Sequence, residues 1–336
     1  MIGNLDHRAQ ADTGVPAYNP GGQAFTVEAR HGMPNLRQLE YLVAIAETRN
    51  FRRAAEQSHT TQPTLSEQLK SLETRLGAQL VERTRSRVIL TPIGNQVVAI
   101  ARRMLADAEE IRSLSASGGR ELAGVLRLGL PPTIGPYLLP LLIPELQRHY
   151  PDLKLYVREE LPSGLVGALV EGRHDLVMTP LPTKNREIVT EVLFREPLYV
   201  CVAKNHVLAS EPKLQRKHLE GEDILALGRG HQLHDVVLAL CEECGARLRY
   251  DYEGTSLDTL REMVAMGLGL TFLPGLYVHH VAARDESIRI VELHDRAVYR
   301  IIGLAWRKSS ARHEQYGDLT ELLRTLVKGR FSEFAA

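Results

Sequence analysis

The stretch from Asn50 to Leu76, NFRRAAEQSHTTQPTLSEQLKSLETRL, constrains this chain more than any other. It reads as two helices joined by a short polar turn. Asn50 and Thr61 are placed to cap the two helices, because their side-chain oxygens can accept from orphan N–H groups of the first turn. Pro63 then falls in the first turn of the second helix, where its missing N–H does no harm. Leu65, Leu69, Leu72 and Leu76 are spaced 4, 3 and 4 and share one face of that helix. A short helix with an inward apolar stripe and a polar N-terminal turn suits the second helix of a helix-turn-helix, whose N-terminal residues meet base edges in the major groove. Thr61, Gln62, Pro63, Thr64, Ser66, Glu67 and Lys70 are the candidate base-reading residues. Gln can pair with adenine, Glu can accept from cytosine, and Pro can touch a thymine methyl. The alternative is an ordinary pair of helices in a helical domain.

The flanks favour the nucleic-acid reading. Leu36, Leu39, Val43 and Ala46 make another helical stripe, giving three helices. LVERTRSRVILT, Leu80 to Thr91, reads as a tight hairpin carrying Arg83, Arg85 and Arg87, while Arg52 and Arg53 open the helix before the turn. Between Met33 and Leu90 nine Lys/Arg face six Asp/Glu, a net +3 in a chain whose formal charge is zero. Arginines on a wing suit phosphate contacts, which set position and affinity rather than sequence choice. Any one of them taken alone reads first as a solvated surface charge.

Thr91-Pro92 reads as a cap and first-turn proline. Ile93, Val97, Ile100, Met104, Ile111 and Leu114 follow a heptad-like spacing that predicts a seam between paired helices. SASGGR, Ser115 to Arg120, reads as a hinge. From Glu121 the pattern changes to short apolar strands, GVLRLGL, LKLYVRE and DLVMTP, alternating with helices at Tyr137 to Tyr150 and Ser163 to Gly172. That alternation predicts an α/β domain with a largely parallel sheet. PLYVCVAKN begins a second such unit and YRIIGLAW, near Ile301, returns to the first.

LRQLEYLVAIAETRNFRRAAEQSHTTQPTLSEQLKSLE, LGAQLVERT and LTPIG resemble the LysR-type transcriptional regulators, and the likeness runs from residue 34 to 330. LEYLVAIAETRNFRRAA, PPTIGPYLLPLLIPEL and TSLDTLREMVAMGLGLTFLP look most like its peroxide-responsive OxyR branch. The resemblance implies a winged helix-turn-helix over 33–91, a coiled-coil linker helix and hinge over 92–120, and an effector domain over 121–330. The last would be a two-lobed α/β unit like the periplasmic solute-binding proteins, with lobes at 121–195 plus 297–330 and at 196–296. Residues 1–32, rich in Gly, Ala, Pro, Asp and Asn, read as an N-terminal arm, with Met33 an alternative start. The family implies a homodimer or homotetramer on promoter DNA, acting on RNA polymerase.

Ligands of open α/β sheets sit beyond strand C-termini, which selects Pro132 to Gly135. In the OxyR branch a peroxide-reactive cysteine stands where this chain has Gln232, and a second one falls on Cys241. Glutamine has no nucleophile, so that disulfide cannot form here. His231, His234, Asp235, Thr133 and Arg307 match positions around the reactive sulfur; Gly135 and Ser256 complete the candidate sensing pocket, Ser256 also reading as a helix cap. The pocket then binds a small polar molecule, peroxide or an anion, without reacting. Otherwise Cys241 and Cys244, in LCEECG, take the redox role, or both are plain helix cysteines with Cys241 packed inward and Cys244 incidental.

Three cysteines, no basic-then-apolar N-terminus and no long apolar run predict a cytoplasmic protein that neither spans a membrane nor is secreted. No triad, phosphate loop, paired carboxylates or metal-ligand spacing is present, so the expectation is a non-enzyme without cofactor or metal. A secreted solute-binding protein is the alternative from another class, and it lacks the required signal.

Overall fold

The computed structural model describes residues 33–83, 88–116, 122–211 and 213–334. The chain forms two compact units, one ending at Val98 and one beginning at Ala99.

The first unit opens with three helices, α1 (Leu36–Thr48), α2 (Phe51–Gln57) and α3 (Gln62–Leu76). Asn50 and Thr61 cap α2 and α3 as predicted, and Asn35, not singled out in the sequence, caps α1. Asn35 accepts from Gln38 N in a capping box, Asn50 accepts from the N–H groups of Arg52 and Arg53, and Thr61 accepts from Thr64 N. Gly77 ends α3 in the left-handed conformation, φ +62°, which a side chain would strain. Leu65, Leu69 and Leu72 are fully buried, with Leu42, Ile45 and Ala54 among their buried company. Leu76, the fourth residue of the predicted stripe, is exposed because the helix ends there. The wing is β1 (Val81–Arg83) antiparallel to β2 (Val88–Leu90). One Glu73 oxygen on α3 accepts from the N–H groups of Leu80 (2.8 Å) and Val81 (3.1 Å), which fastens the wing to that helix. Thr91 caps α4 (Pro92–Ala116) as expected, its hydroxyl accepting from Gly94 N at 2.9 Å.

The second unit contains β3 (Gly124–Leu130), α5 (Gly135–His149), β4 (Leu153–Glu159), α6 (Pro162–Val170), β5 (Leu176–Leu181) and β6 (Ile188–Ala203). Then follow β7 (Asp223–Leu227), α7 (Gln232–Cys244), β8 (Arg247–Gly254), α8 (Leu257–Ala265), β9 (Thr271–Pro274) and α9 (Gly275–His280). β10 (Ile288–Val291), β11 (Val298–Arg307) and α10 (His313–Arg330) complete it. The main sheet runs β10-β6-β11-β5-β3-β4, with β9 also on β6. Its pairing is mixed rather than largely parallel: β3 is parallel to β4 and β5, but β11 is antiparallel to β5 and β6. The reason is topological. β6 carries the chain into a second lobe and β11 brings it back, so the two crossing strands oppose each other. β7 and β8 form a separate parallel pair in that second lobe.

Two apolar cores result. One gathers Leu126, Leu130, Leu138, Leu142, Trp306 and Leu323. The other gathers Val200, Leu225, Leu233, Val237, Leu260 and Phe272. Along α4, Ile93, Ile100, Met104 and Ile111 of the predicted seam stand exposed and Val97 partly so; the Leu114 side chain and most of the expected hinge lie outside the described residues.

Candidate DNA interface and effector pocket

At the start of α3, Thr61, Gln62, Pro63, Thr64, Glu67 and Lys70 are all exposed, and Ser66 is partly so. The buried leucine stripe makes this inevitable: holding Leu65, Leu69 and Leu72 inside turns the intervening residues outward. The Thr61 and Thr64 hydroxyls pair at 2.8 Å, leaving the surface at the helix start polar and preorganised. Arg52 and Arg53 are exposed at the first turn of α2, and Arg52 pairs with Glu56 at 3.1 Å. Arg85, Arg87 and the Arg83 side chain lie outside the described residues.

In the second unit the loop from β3 to α5 meets the two crossing strands. Thr133 is buried, and its hydroxyl and carbonyl accept from Arg300 Nη1 (2.9 Å) and Nη2 (3.0 Å). Arg300 Nε donates to Glu196 at 2.6 Å, and the other Glu196 oxygen accepts from Leu276 N at 2.9 Å. Both charged side chains are almost wholly buried, at 1% and 0% exposure, so each needs the other to avoid the cost of an isolated buried charge. His231, at the start of α7, is buried too. Its burial first, then the Arg300 charge and His234, hold its pKa below the ordinary value, which leaves the imidazole neutral at pH 7. Its Nδ1 and the Gln232 Oε1 are buried without a hydrogen-bond partner among the described residues. Gln232 Nε2 donates to the Leu181 carbonyl at 3.3 Å, reaching from α7 to the end of β5. His234 Nδ1 lies 2.8 Å from the Leu227 carbonyl, which fixes its Nδ1–H tautomer.

Some expected pocket residues are elsewhere. Arg307 is not beside Thr133. It sits at the far end of β11, donating to the carbonyls of Leu169 (3.0 Å) and His174 (2.7 Å) and lying 3.8 Å from Asp175. Seven residues of extended strand, roughly 23 Å, separate it from Arg300, which holds the place expected of it. The sequence does not signal this: Val298, Arg300 and Ile302 are buried while Tyr299 and Ile301 face out, so the charge sits on the inward face and apolar residues on the outward one. Glu196 was missed because its partner is 104 residues away. Ser256 is exposed and caps α8, accepting from Thr259 N at 3.2 Å. Asp235 is exposed on the first turn of α7. Gly135 starts α5, and a Cβ there would come within 2.5 Å of a Glu159 oxygen.

Cys241 and Cys244 are free thiols, both buried in the second-lobe core. Burial, then the neighbouring Cys244, pushes the Cys241 thiol up to about 11; burial also raises Cys244. Neither is activated, since reactivity needs the thiolate. Cys201, inside β6, is pushed up to about 12 by burial. Among the described residues no group of three or more His, Cys, Asp or Glu could hold a metal ion, and no helix is long and apolar enough to cross a membrane.

Residues 36–95 match the bacterial regulatory helix-turn-helix protein, lysR family, and residues 119–328 match the LysR substrate binding domain. The DNA-binding transcriptional dual regulator OxyR of Escherichia coli K12 is 38% identical over 299 residues, 89% of this chain and 98% of that one. The HTH-type transcriptional regulator EstR of Acinetobacter baylyi is 35% identical over 296 residues, covering 88% and 98%. Among solved structures, a full-length OxyR variant from Pseudomonas aeruginosa is 35% identical with a TM-score of 0.73, covering 88% of this chain and 94% of that one. A hydrogen-peroxide-bound OxyR mutant from Corynebacterium glutamicum is 31% identical with a TM-score of 0.63, covering 89% and 94%. The chain therefore belongs to the LysR family of DNA-binding transcriptional regulators, and within it to the OxyR type.

Proposed function

We propose that this regulator works in the cytoplasm as a homo-oligomer on promoter DNA, and that its effector is peroxide, bound reversibly beside Thr133, His231, Gln232 and Arg300. The exposed start of α3 reads bases, with Arg52, Arg53 and the wing arginines on phosphates. The exposed apolar side of α4 is the pairing surface, two pairs making a tetramer that contacts RNA polymerase.

One observation carries the effector reading. His231 Nδ1 and Gln232 Oε1 are buried on adjacent residues with their hydrogen-bonding capacity unused among the described residues. Such atoms cost roughly 1–3 kcal/mol each until something bonds to them. The charge around them is balanced, because Glu196 compensates Arg300 and His231 is neutral. A balanced site favours a small neutral hydroxylic molecule over an anion. Residue 232 offers no nucleophile, so the response is binding rather than oxidation at that position.

The test is promoter binding by the purified full-length protein in reductant, before peroxide, after it, and after catalase. The expected result is a shift in promoter contacts that catalase alone reverses, that Cys241→Ser and Cys244→Ser retain, and that Gln232→Leu loses. No shift, or a shift that either serine variant abolishes, overturns the proposal.

A further inference from the structure

The second half of α4 is part of the effector unit, which begins at Ala99. It is held there at two places. Gly172, in the turn between α6 and β5, has φ +74°, and a Cβ on it would come within 2.9 Å of Arg103 N and 3.1 Å of Arg102 C. The α4 backbone therefore lies directly against this turn. Two helical turns further on, Glu110 is buried at 7% exposure. Its Oε1 accepts from Ser310 Oγ at 2.8 Å and from Arg312 N at 2.6 Å. The Ser310 hydroxyl also accepts from Arg312 N at 3.2 Å, and the Arg312 guanidinium reaches the Ala123 carbonyl at 3.0 Å. A buried carboxylate is tolerated only when hydrogen-bonded in this way. One contact would leave α4 free to swivel; two, about 11 Å apart along the axis, fix its direction. The turn that grips Glu110 directly follows β11, the strand that carries Arg300.

We infer that Glu110 is a positioning residue, fastening α4 to the turn at 310–312 so that the effector domain sets the separation of the DNA-binding heads in the oligomer. The second half of α4 is then a rigid part of the effector domain. The spacing of half-sites a dimer accepts is a geometric readout of how its heads are held. The inference rests on promoter binding by an oligomer and not on the identity of the effector.

The experiment uses the full-length protein on three DNAs: a promoter fragment that it selects, the same fragment with about 5 base pairs, half a helical turn, inserted between the half-sites, and a single half-site. Glu110→Ala is expected to lose most of the discrimination against the lengthened fragment while keeping wild-type affinity for the single half-site. Hydrogen exchange should quicken together at residues 104–112 and 308–313, by about tenfold for the lost bonds to a carboxylate. Ser310→Ala should move both readouts the same way by less. Gly172→Ala tests the other attachment and should also relax spacing, which keeps the inference testable if Glu110→Ala fails to fold. Wild-type discrimination in the variants, exchange that quickens at only one of the two segments, or an equal loss of affinity on the single half-site overturns it.

Discussion

At the scale of single residues, the proposed effector pocket depends on one buried ion pair. Arg300 spends its donors on Thr133 and Glu196, and Glu196 has a second bond from Leu276 N. Removing only the arginine leaves a carboxylate buried and uncompensated. Arg300→Ala should therefore destabilise the protein by about 3–5 kcal/mol, whereas Arg300→Met with Glu196→Leu should recover much of that loss. Urea unfolding of the three proteins checks this; equal stability of the single and double variants would contradict it. His231 makes a second prediction. Its folded pKa lies below the ordinary value near ~6.5, so below that pH the unfolded chain binds more protons than the native one. Its contribution is full above that value and is lost as pH falls through the folded pKa. His231→Gln should flatten stability against pH on the acid side, although His174, lowered by burial as well, retains part of the slope. A third concerns the thiols. Cys241 and Cys244 should react with a soluble thiol reagent only at the rate of unfolding, because each is buried and raised in pKa. Rapid labelling of the native protein would reopen the redox reading. The sequence expectation packs only Cys241 inward, with Cys244 incidental; both are buried, because Leu233, Val237, Leu240, Cys241 and Cys244 share a helical stripe.

At the scale of elements, legibility followed locality. α3 was readable because its cap, proline and leucine stripe all lie in one short stretch and agree with one another. β6 was readable only in part. Its strand begins at Ile188, yet Pro197 and the charges at Glu191, Arg195 and Glu196 suggest a later start. Pairing with β11 holds Ile188 to Leu198 extended, β9 and β10 pair with the remainder, and all three partners come from a distant part of the chain. In the proposed reading α3 and α2 also divide the DNA work. Gln62→Ala should cost about 1–3 kcal/mol at particular base positions and relax preference there, while Arg53→Ala weakens binding to every sequence and lowers the salt slope by about one. Titrations against a panel of single-base variants at several salt concentrations measure both. Identical effects of the two substitutions on every DNA would refute the division.

At the scale of the whole molecule, a local DNA-reading module is joined to a domain whose site is assembled from distant segments. The sequence made the first plain, because a helix-turn-helix is written within a few dozen residues. It placed α7 and the β3–α5 loop near one another only through the family likeness, and it misassigned the arginine that unites them. The physical cause is the return crossing of β11, which no local pattern specifies. Arg300 and Arg307 are both buried on β11, so burial alone does not separate them either. The most direct measurement is competition between a promoter fragment and scrambled DNA of equal length for the intact protein, from low to physiological salt. The account predicts that preference for the promoter persists as salt rises, while binding to scrambled DNA collapses. Equal affinity for the two at every salt concentration would contradict it.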